Sequence, residues 1–284
     1  MKRTVKYFLT VATQSRGAVR AAATLFLVAL CASAWAQQPP ELTRARAMEL
    51  WPAYVATQGQ PSGTPAILAR LNMYRVAAGL QPVTNASRYN PASQACALVL
   101  ATNPTWTISH VLPKTLANWT QDAANAAMRS CIDRNDVGAK AVADFVRDWG
   151  LTSENKLVGH RRWLLSPTLQ TVGVGSVDGV LPAVCIYVMT PQGATKQPVA
   201  WPPAGDVPMA WIPERWSYSA PVDVSKATVY VDGRLVPCVR ANGTTPMSVI
   251  VWQPALPFNV EDSHAVTILG LPAPVAYTVR RFKP

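Results

Sequence analysis

Two of the three histidines in the chain stand where their side chains could support chemistry. His160 lies in the polar segment 159–167, directly before a run that has valine at every second position, and His110 lies about fifty residues upstream. The pattern predicts that the segment forms the entrance to a strand. Two neutral imidazoles can bind zinc, and a catalytic zinc usually has three protein ligands and a water molecule. We therefore expect His110 and His160 to be the centre of any metal-binding or hydrolytic chemistry.

Few acidic residues are placed to complete such a site. Asp148 follows a helical pattern and lies about 60° from Phe145 on the helical wheel, so it is expected to point along the edge of the core. Glu154 is a possible substitute, although its polar loop favours an exposed acid. An inward-facing Arg161 would need a carboxylate such as Asp148 to offset its desolvation. The donor set predicts weak binding of a divalent metal such as zinc.

A purely structural interpretation of the two histidines is also open. His110 and His160 could bond the backbone and bridge a helical layer to a sheet instead of facing a ligand. His264, in a predicted strand, has no partner in the pattern and is left out of the site. The sequence contains no nucleophile elbow, phosphate loop or dinucleotide fingerprint.

The first 36 residues differ from the rest of the chain. Five basic residues precede the uncharged run 21–36, and Ala34-Trp35-Ala36 offers a cleavage site, as in a secretory signal peptide. The run is shorter than the roughly 20 residues that span a bilayer. Its removal lowers the formal charge from +11 to +6, because 26 basic residues become 21 while all 15 acidic residues remain. We expect a secreted or periplasmic protein without a transmembrane segment in the mature chain and, lacking a basic run with interleaved aromatics, without a nucleic-acid partner.

Cysteine usage fits the predicted export. Four cysteines remain after the signal peptide, at positions 96, 131, 185 and 238. An even number in an exported chain favours disulfides, and three pairings are possible. The first choice pairs Cys96 with Cys131 and Cys185 with Cys238. The alternative is four buried thiols.

The order of the elements predicts a mixed fold. A polar arm is followed by helical patterns that begin near Thr64, Asn90, Gln121 and Ala139. A hairpin comes next, over 171–188, and then a stretch rich in proline and tryptophan. Five short strands with turn signals end the chain and suggest a small sandwich. The predicted segments are a signal peptide (1–36), an arm (37–63), a helix-and-sheet domain (64–190), a connection (191–221) and a β-sandwich domain (222–284).

A family resemblance rests on the order of several motifs. These are Leu-Asn-Met-Tyr-Arg at 71–75, Ala-Gly-Leu at 78–80, Pro-Val at 82–83, Ser-His at 109–110, Ala-Val at 141–142 with Asp148, and Gly-His-Arg-Arg-Trp at 159–163. In this order they resemble the CAP superfamily, which comprises the cysteine-rich secretory, antigen 5 and pathogenesis-related 1 proteins. The resemblance is strongest to the bacterial secreted branch with an immunoglobulin-like tail. In the tail it rests on Trp-Pro-Pro at 201–203, Arg-Trp-Ser-Tyr-Ser at 215–219 and Val-Trp at 251–252.

The resemblance implies an α+β fold, with an α-β-α sandwich followed by a small all-β domain. It also implies a cleft where two histidines and two acidic residues meet, in some members around a divalent metal. His110 and His160 match the histidines, and Asp148 matches the second acid. Ser130 stands where the first acid is absent.

Two functional interpretations follow. In the first, the protein is a non-catalytic binding module whose cleft engages a lipid, a cell-wall component or an envelope protein. In the second, His110, His160 and Asp148 position a metal and a water for hydrolysis. The missing first acid favours the first interpretation, because a hydrolase would have difficulty replacing its general base.

Overall fold

The structure is a computed structural model that describes residues 38–58, 63–134, 136, 138–257 and 261–284. The predicted signal peptide (1–36), its cleavage site and Cys31 lie outside the described residues. Within the described part of the chain, none of the helices has the length and apolar character needed to cross a bilayer.

The described helices are concentrated in the first 164 residues. The α-helices are α1 (Arg44–Ala56), α2 (Thr64–Ala77), α3 (Asn90–Thr102), α4 (Gln121–Ala127), α5 (Gly138–Arg147), α6 (Ser153–Lys156) and α7 (Gly159–Leu164). Pro65 stands in the first turn of α2, where its missing N–H costs nothing, and Gly79 follows the helix with a φ of 72°. The sequence prediction for this helix is confirmed, although Gly63 and not Thr64 is the N-cap.

The described strands form three separate sheets. They are β1 (Glu41–Leu42), β2 (Thr84–Asn85), β3 (Ser130–Asp133), β4 (Thr171–Val177), β5 (Ala183–Tyr187), β6 (Val199–Trp201), β7 (Ala204–Pro208), β8 (Trp216–Ala220), β9 (Thr228–Val231), β10 (Arg234–Val236), β11 (Cys238–Ala241), β12 (Ser248–Trp252), β13 (Ser263–Leu269) and β14 (Val275–Phe282). The central sheet has the order β2-β4-β5-β3, and the two tail sheets have the orders β11-β12-β8-β6 and β1-β7-β14-β13-β9-β10.

The central sheet has a helical layer on each face. On one face, Leu71 of α2 and Val142 of α5 belong to the same buried cluster as Val172 and Val174 of β4. On the other face, α3 and α4 share a second cluster with Cys185 of β5. The helices and sheets together confirm the α+β class.

The alternation of valine and glycine in β4 follows from these two faces. Successive strand residues point to opposite faces of a sheet, so the valines enter one cluster and the glycines face the other helical layer. A Cβ on Gly175 would lie 2.1 Å from the carbonyl carbon of Ser93, and one on Gly173 would lie 2.4 Å from the Cβ of Tyr89. The glycines therefore allow α3 to lie directly on the sheet.

The proline- and tryptophan-rich stretch differs from the prediction. Where a connection is expected over 191–221, the structure has β6, β7 and β8, which join both tail sheets. Trp201, Trp211 and Trp216 are all buried there. Burial of these aromatic side chains holds the segment in strands despite its prolines, which fall mainly between the strands or at their ends.

Other local predictions were also wrong. The predicted arm contains α1, whose Trp51 and Tyr54 pack on Trp211. The helical pattern that begins near Gln121 was expected to run to Ile132, but α4 ends at Ala127 and strand β3 begins at Ser130. Residues 159–164, expected at the entrance to a strand, are helical. One of the five short strands expected in the tail, over 235–239, is instead divided between two sheets at Pro237, which has no N–H to donate to a ladder.

The four described cysteines are thiols. Neither of the disulfides chosen from the sequence, Cys96 with Cys131 or Cys185 with Cys238, is present. Cys96 and Cys131 belong to different buried clusters, which lie on opposite faces of the central sheet, and Cys238 is in the tail. These positions rule out both pairs in this fold.

A buried arginine joins α2 to the segment before β4. Arg75 is 1% exposed and donates to the carbonyl oxygens of Gln81, Leu164, Ser166 and Leu169 at 2.7–2.9 Å. Burial lowers the pKa of Arg75 to about 10, so the guanidinium is still charged at neutral pH. Its charge is offset by carbonyl dipoles.

We predict that Arg75→Met lowers the free energy of unfolding by about 3 kcal/mol, because it leaves several buried carbonyl groups without a donor. Urea unfolding of the variant and of the unchanged protein measures this difference. Arg234→Met, at an exposed position in β10, is the control and should change stability by about 0.5 kcal/mol or less. Equal losses in the two variants would contradict the role of Arg75.

Candidate functional site

The two histidines line one cleft. The centroids of the His110 and His160 rings are 6.5 Å apart. His110 lies in the loop after α3, and its Nδ1 is 2.8 Å from the carbonyl oxygen of Ala127 at the end of α4. His160 lies in α7 and packs on Phe145 of α5. The cleft has a volume of about 330 Å³.

Of the other residues predicted for the cleft, one lines it and two do not. Ser130 is in the cleft wall, together with Glu154. Asp148 lines a neighbouring cavity of about 290 Å³, and Arg161 is buried elsewhere. Of the residues predicted for the cleft, the two histidines and Ser130 therefore line it, whereas Asp148 and Arg161 lie behind its wall.

Asp148 orients His160 from behind. It follows α5 with a φ of 51°, and its side chain is fully buried. Its Oδ1 is 3.2 Å from Nδ1 of His160 and accepts a bond of 2.6 Å from the Asn155 amide. The sequence missed Asn155, because a polar residue in a short polar connection carries no signal of this contact.

The environment raises the pKa of His160 above its ordinary value. Desolvation, the largest single contribution, lowers it, but the hydrogen bond and the charge of Asp148 together outweigh the burial. The more distant charges of Glu154 and Asp133 act in the same direction as Asp148. The carboxylate of Asp148 therefore stabilises the protonated form of His160.

The donor atoms of the cleft do not fit a tightly held metal ion. Each histidine has its Nδ1 engaged, so only the two Nε2 atoms are available as imidazole ligands. Asp148 contacts His160 on the Nδ1 side of its ring, so its carboxylate does not lie beside the two Nε2 atoms as a third ligand. The carboxylate of Glu154 is 3.8 Å from Nε2 of His110, but it is 71% exposed. Among the described residues, no group of three His, Cys, Asp or Glu side chains is arranged to bind a metal.

The other polar groups of the cleft wall are already engaged. The hydroxyl of Ser130 donates to the carbonyl oxygen of Ala126 at 2.7 Å. Burial, and after it the charge of Asp148, raises the pKa of the Cys131 thiol well above its ordinary value. Neither group is an activated nucleophile. The Ser130 hydroxyl donates its proton to a backbone carbonyl and not to a general base, and the Cys131 thiol stays protonated at neutral pH.

Arg161 does not face the cleft. It is 2% exposed, and its guanidinium donates to the carbonyl oxygens of Val146, Arg147 and Arg215 and to the hydroxyl of Ser217. A carboxylate was expected to compensate this charge. Backbone carbonyl groups provide most of the compensation instead, while Asp148 accepts from the backbone N–H of Arg161 at 3.3 Å.

A tail residue holds the segment 148–155, which carries the orienting groups and runs into α6. Nη1 of Arg215 donates to the carbonyl oxygens of Asp148, Gly150 and Asn155 at 3.0, 2.6 and 3.1 Å. Arg215 is about 55 residues from His160 in the chain, so this link could not be predicted from local sequence patterns. The tail therefore contributes to the geometry behind His160.

Part of the chain that contains the cleft residues matches the model of a protein family. The model of the CAP, cysteine-rich secretory protein family matches residues 68–187, which run from α2 to the end of β5. The match supports a CAP domain over these residues. No curated protein matches the chain. Both cleft histidines, Ser130 and Asp148 lie inside the matched CAP region.

The first prediction for the cleft concerns protonation. We expect Asp148→Asn to lower the pKa of His160, because desolvation then acts without the opposing carboxylate. Titration of the imidazole resonances by NMR measures the change, with the exposed Asp122→Asn as control. Since the folded pKa is raised, the stabilisation by the pair is complete below about pH 6.5 and is lost as the pH rises through the folded pKa. An unchanged His160 titration would contradict this account.

The second prediction for the cleft concerns Arg215. We expect Arg215→Met to free the segment 148–155, to increase its hydrogen exchange and to reduce the elevation of the His160 pKa. Arg215→Lys should restore part of both effects. Arg147→Met removes an exposed arginine paired with Glu214 and is the matched control. If Arg215→Met folds and His160 titrates as before, Arg215 has no positioning role.

Proposed function

We propose that the protein is an exported, non-catalytic binding module of the bacterial secreted CAP branch, with an immunoglobulin-like tail. Its histidine-lined cleft takes a lipid, a cell-wall component or an envelope partner. The CAP match over 68–187 supports the family part of this proposal. The two-sheet tail after Val199 supports the tail assignment and the proposed division into a helix-and-sheet domain and a β-domain.

The single observation that carries the proposal is the mixed chemistry of the cleft wall. Met128 and Met189 line it and are 46% and 45% exposed, so flexible apolar side chains border the opening. His110, Glu154 and Arg162 supply polar groups in the same wall. A cleft of about 330 Å³ with both characters suits an amphipathic ligand.

The state of the polar groups favours binding over hydrolysis. Ser130 and Cys131 are not activated, and Asp148 serves to orient His160. His160 with its neighbouring carboxylate is instead suited to hold a charged or hydrogen-bonding head group. Protonation of the ring would add a positive charge to the cleft.

One contact favours the alternative, a metal-dependent hydrolase. The carboxylate of Glu154 in α6 lies 3.8 Å from Nε2 of His110 and is exposed, so it is an acidic group within reach of the cleft histidines. Loss of hydrolysis in both His160→Ala and Glu154→Gln, together with dependence on added zinc, is the result that would establish it.

We predict that the protein binds a fluorescent long-chain fatty acid and that Met128→Glu with Met189→Glu weakens this binding about tenfold, because charge replaces apolar surface in the cleft wall. Fluorescence titration measures the affinity. Leu98→Glu changes a side chain of α3 that is 41% exposed and does not line the cleft, so this control should bind normally.

Soluble fragments of peptidoglycan form the second arm of the experiment. Competition by these fragments would identify a cell-wall ligand, whereas binding of the fatty acid alone would identify a lipid. Equal affinity of the double methionine variant and the Leu98→Glu control for every probe would exclude the cleft as the binding surface.

A further inference from the structure

Two cysteines of the CAP region lie in contact inside one buried cluster. Cys96 is on the inner face of α3 and Cys185 is in the middle of β5, and both side chains are inaccessible to solvent. They belong to the cluster between the sheet and the helices α3 and α4. The two thiols are close enough for Cys185 to raise the pKa of the Cys96 thiol.

The strand register separates this pair from Cys131. In the β3–β5 ladder Cys185 lies opposite Ile132, and Cys131 lies opposite Ile186. Neighbouring residues of a strand point to opposite faces, so Cys185 points to α3 and Cys131 to the other layer. There the sulfur of Cys131 is 3.8 Å from the carbonyl oxygen of His160.

Cys238 is also removed from the pair. It lies in β11 of the tail, and its sulfur is 3.9 Å from the carbonyl oxygen of Ala227. Each of the two remaining cysteines thus has a backbone carbonyl as its neighbour. Among the disulfides that the three possible pairings contain, the fold favours only the one between Cys96 and Cys185.

We propose that Cys96 and Cys185 form a disulfide when the chain folds in an oxidising compartment, while Cys131 and Cys238 stay reduced. A disulfide joins residues whose Cα atoms are typically 4.4–6.8 Å apart, so it requires a helix that lies close against its strand. Gly173 and Gly175 permit this close approach of α3 to the sheet.

The chemistry needs a disulfide donor, either an exported thiol–disulfide oxidoreductase or oxidised glutathione. The Cys96 thiolate attacks the donor disulfide, forms a mixed disulfide and expels one donor thiolate. The Cys185 thiolate then attacks the Cys96 sulfur and expels the second. The cysteines lose two protons and two electrons, and the donor takes up both electrons.

The bond must form before α3 has settled on the sheet. The neighbouring Cys185 thiol, and after it burial, raises the pKa of the Cys96 thiol, so a reactive thiolate is scarce in the folded protein. Oxidation therefore accompanies folding. The product closes a loop of about 90 residues that contains His110, Asp148 and His160, and it restrains the unfolded chain.

The test is to refold the chain in a mixture of oxidised and reduced glutathione, to block free thiols under denaturing conditions and to map peptides without reduction. The expected result is a linked peptide containing Cys96 and Cys185, with Cys131 and Cys238 alkylated. Alkylation of Cys96 and Cys185, or a linked peptide containing any other pair, would overturn the proposal.

Two matched variants complete the experiment. Cys131→Ala with Cys238→Ala should leave no alkylatable thiol among the described cysteines after refolding. Cys96→Ala with Cys185→Ala should lower the melting temperature by roughly 5–10 °C and remove the effect of a reducing agent on it. If the Cys96→Ala, Cys185→Ala variant does not fold, the thiol count of the Cys131→Ala, Cys238→Ala variant still decides. Two alkylatable thiols in that variant would refute the disulfide.

Discussion

A guanidinium group removed from water must find partners for five N–H donors and a positive charge, and this requirement shapes the interior of the molecule. The buried Arg75 and Arg161 and the partly buried Arg215 meet it mainly with backbone carbonyl oxygens. Carbonyl groups at the ends of helices and in loops have free acceptor capacity, so each arginine joins chain segments that are distant in sequence. Hydrogen bonds from a single side chain thereby fix the relative positions of several backbone segments.

The cleft depends on these links because its histidines are held from behind. Arg215 binds the segment that contains Asp148 and Asn155. The Asn155 amide donates to Asp148, and Asp148 contacts Nδ1 of His160. Arg161 adds contacts from α7 to the end of α5 and to the tail. The tail is consequently part of the support of the cleft, and changes at the tail interface reach the imidazole through rigid hydrogen-bonded groups.

Much of the fold could be predicted from local patterns, and the site only in part. The turn chemistry around Pro65 and Gly79 and the alternation in β4 gave correct elements because backbone geometry and burial act over a few residues. The helix at 159–164 and the helix in the arm were missed, since they depend on distant partners such as Asp148 and Trp211. The two histidines could be named from the sequence, but their orienting groups could not.

The first described strand places both ends of the described chain in one sheet. β1 and β14 flank β7, and both run parallel to it. Arg280 of β14 spans all three strands by binding Asp206 of β7 and Glu41 of β1. Tension applied between residue 38 and Pro284 pulls the two outer strands in opposite directions along the strand axis. The load is then carried as shear by all hydrogen bonds of these ladders together, which is a mechanically resistant geometry for a protein held between two attachments.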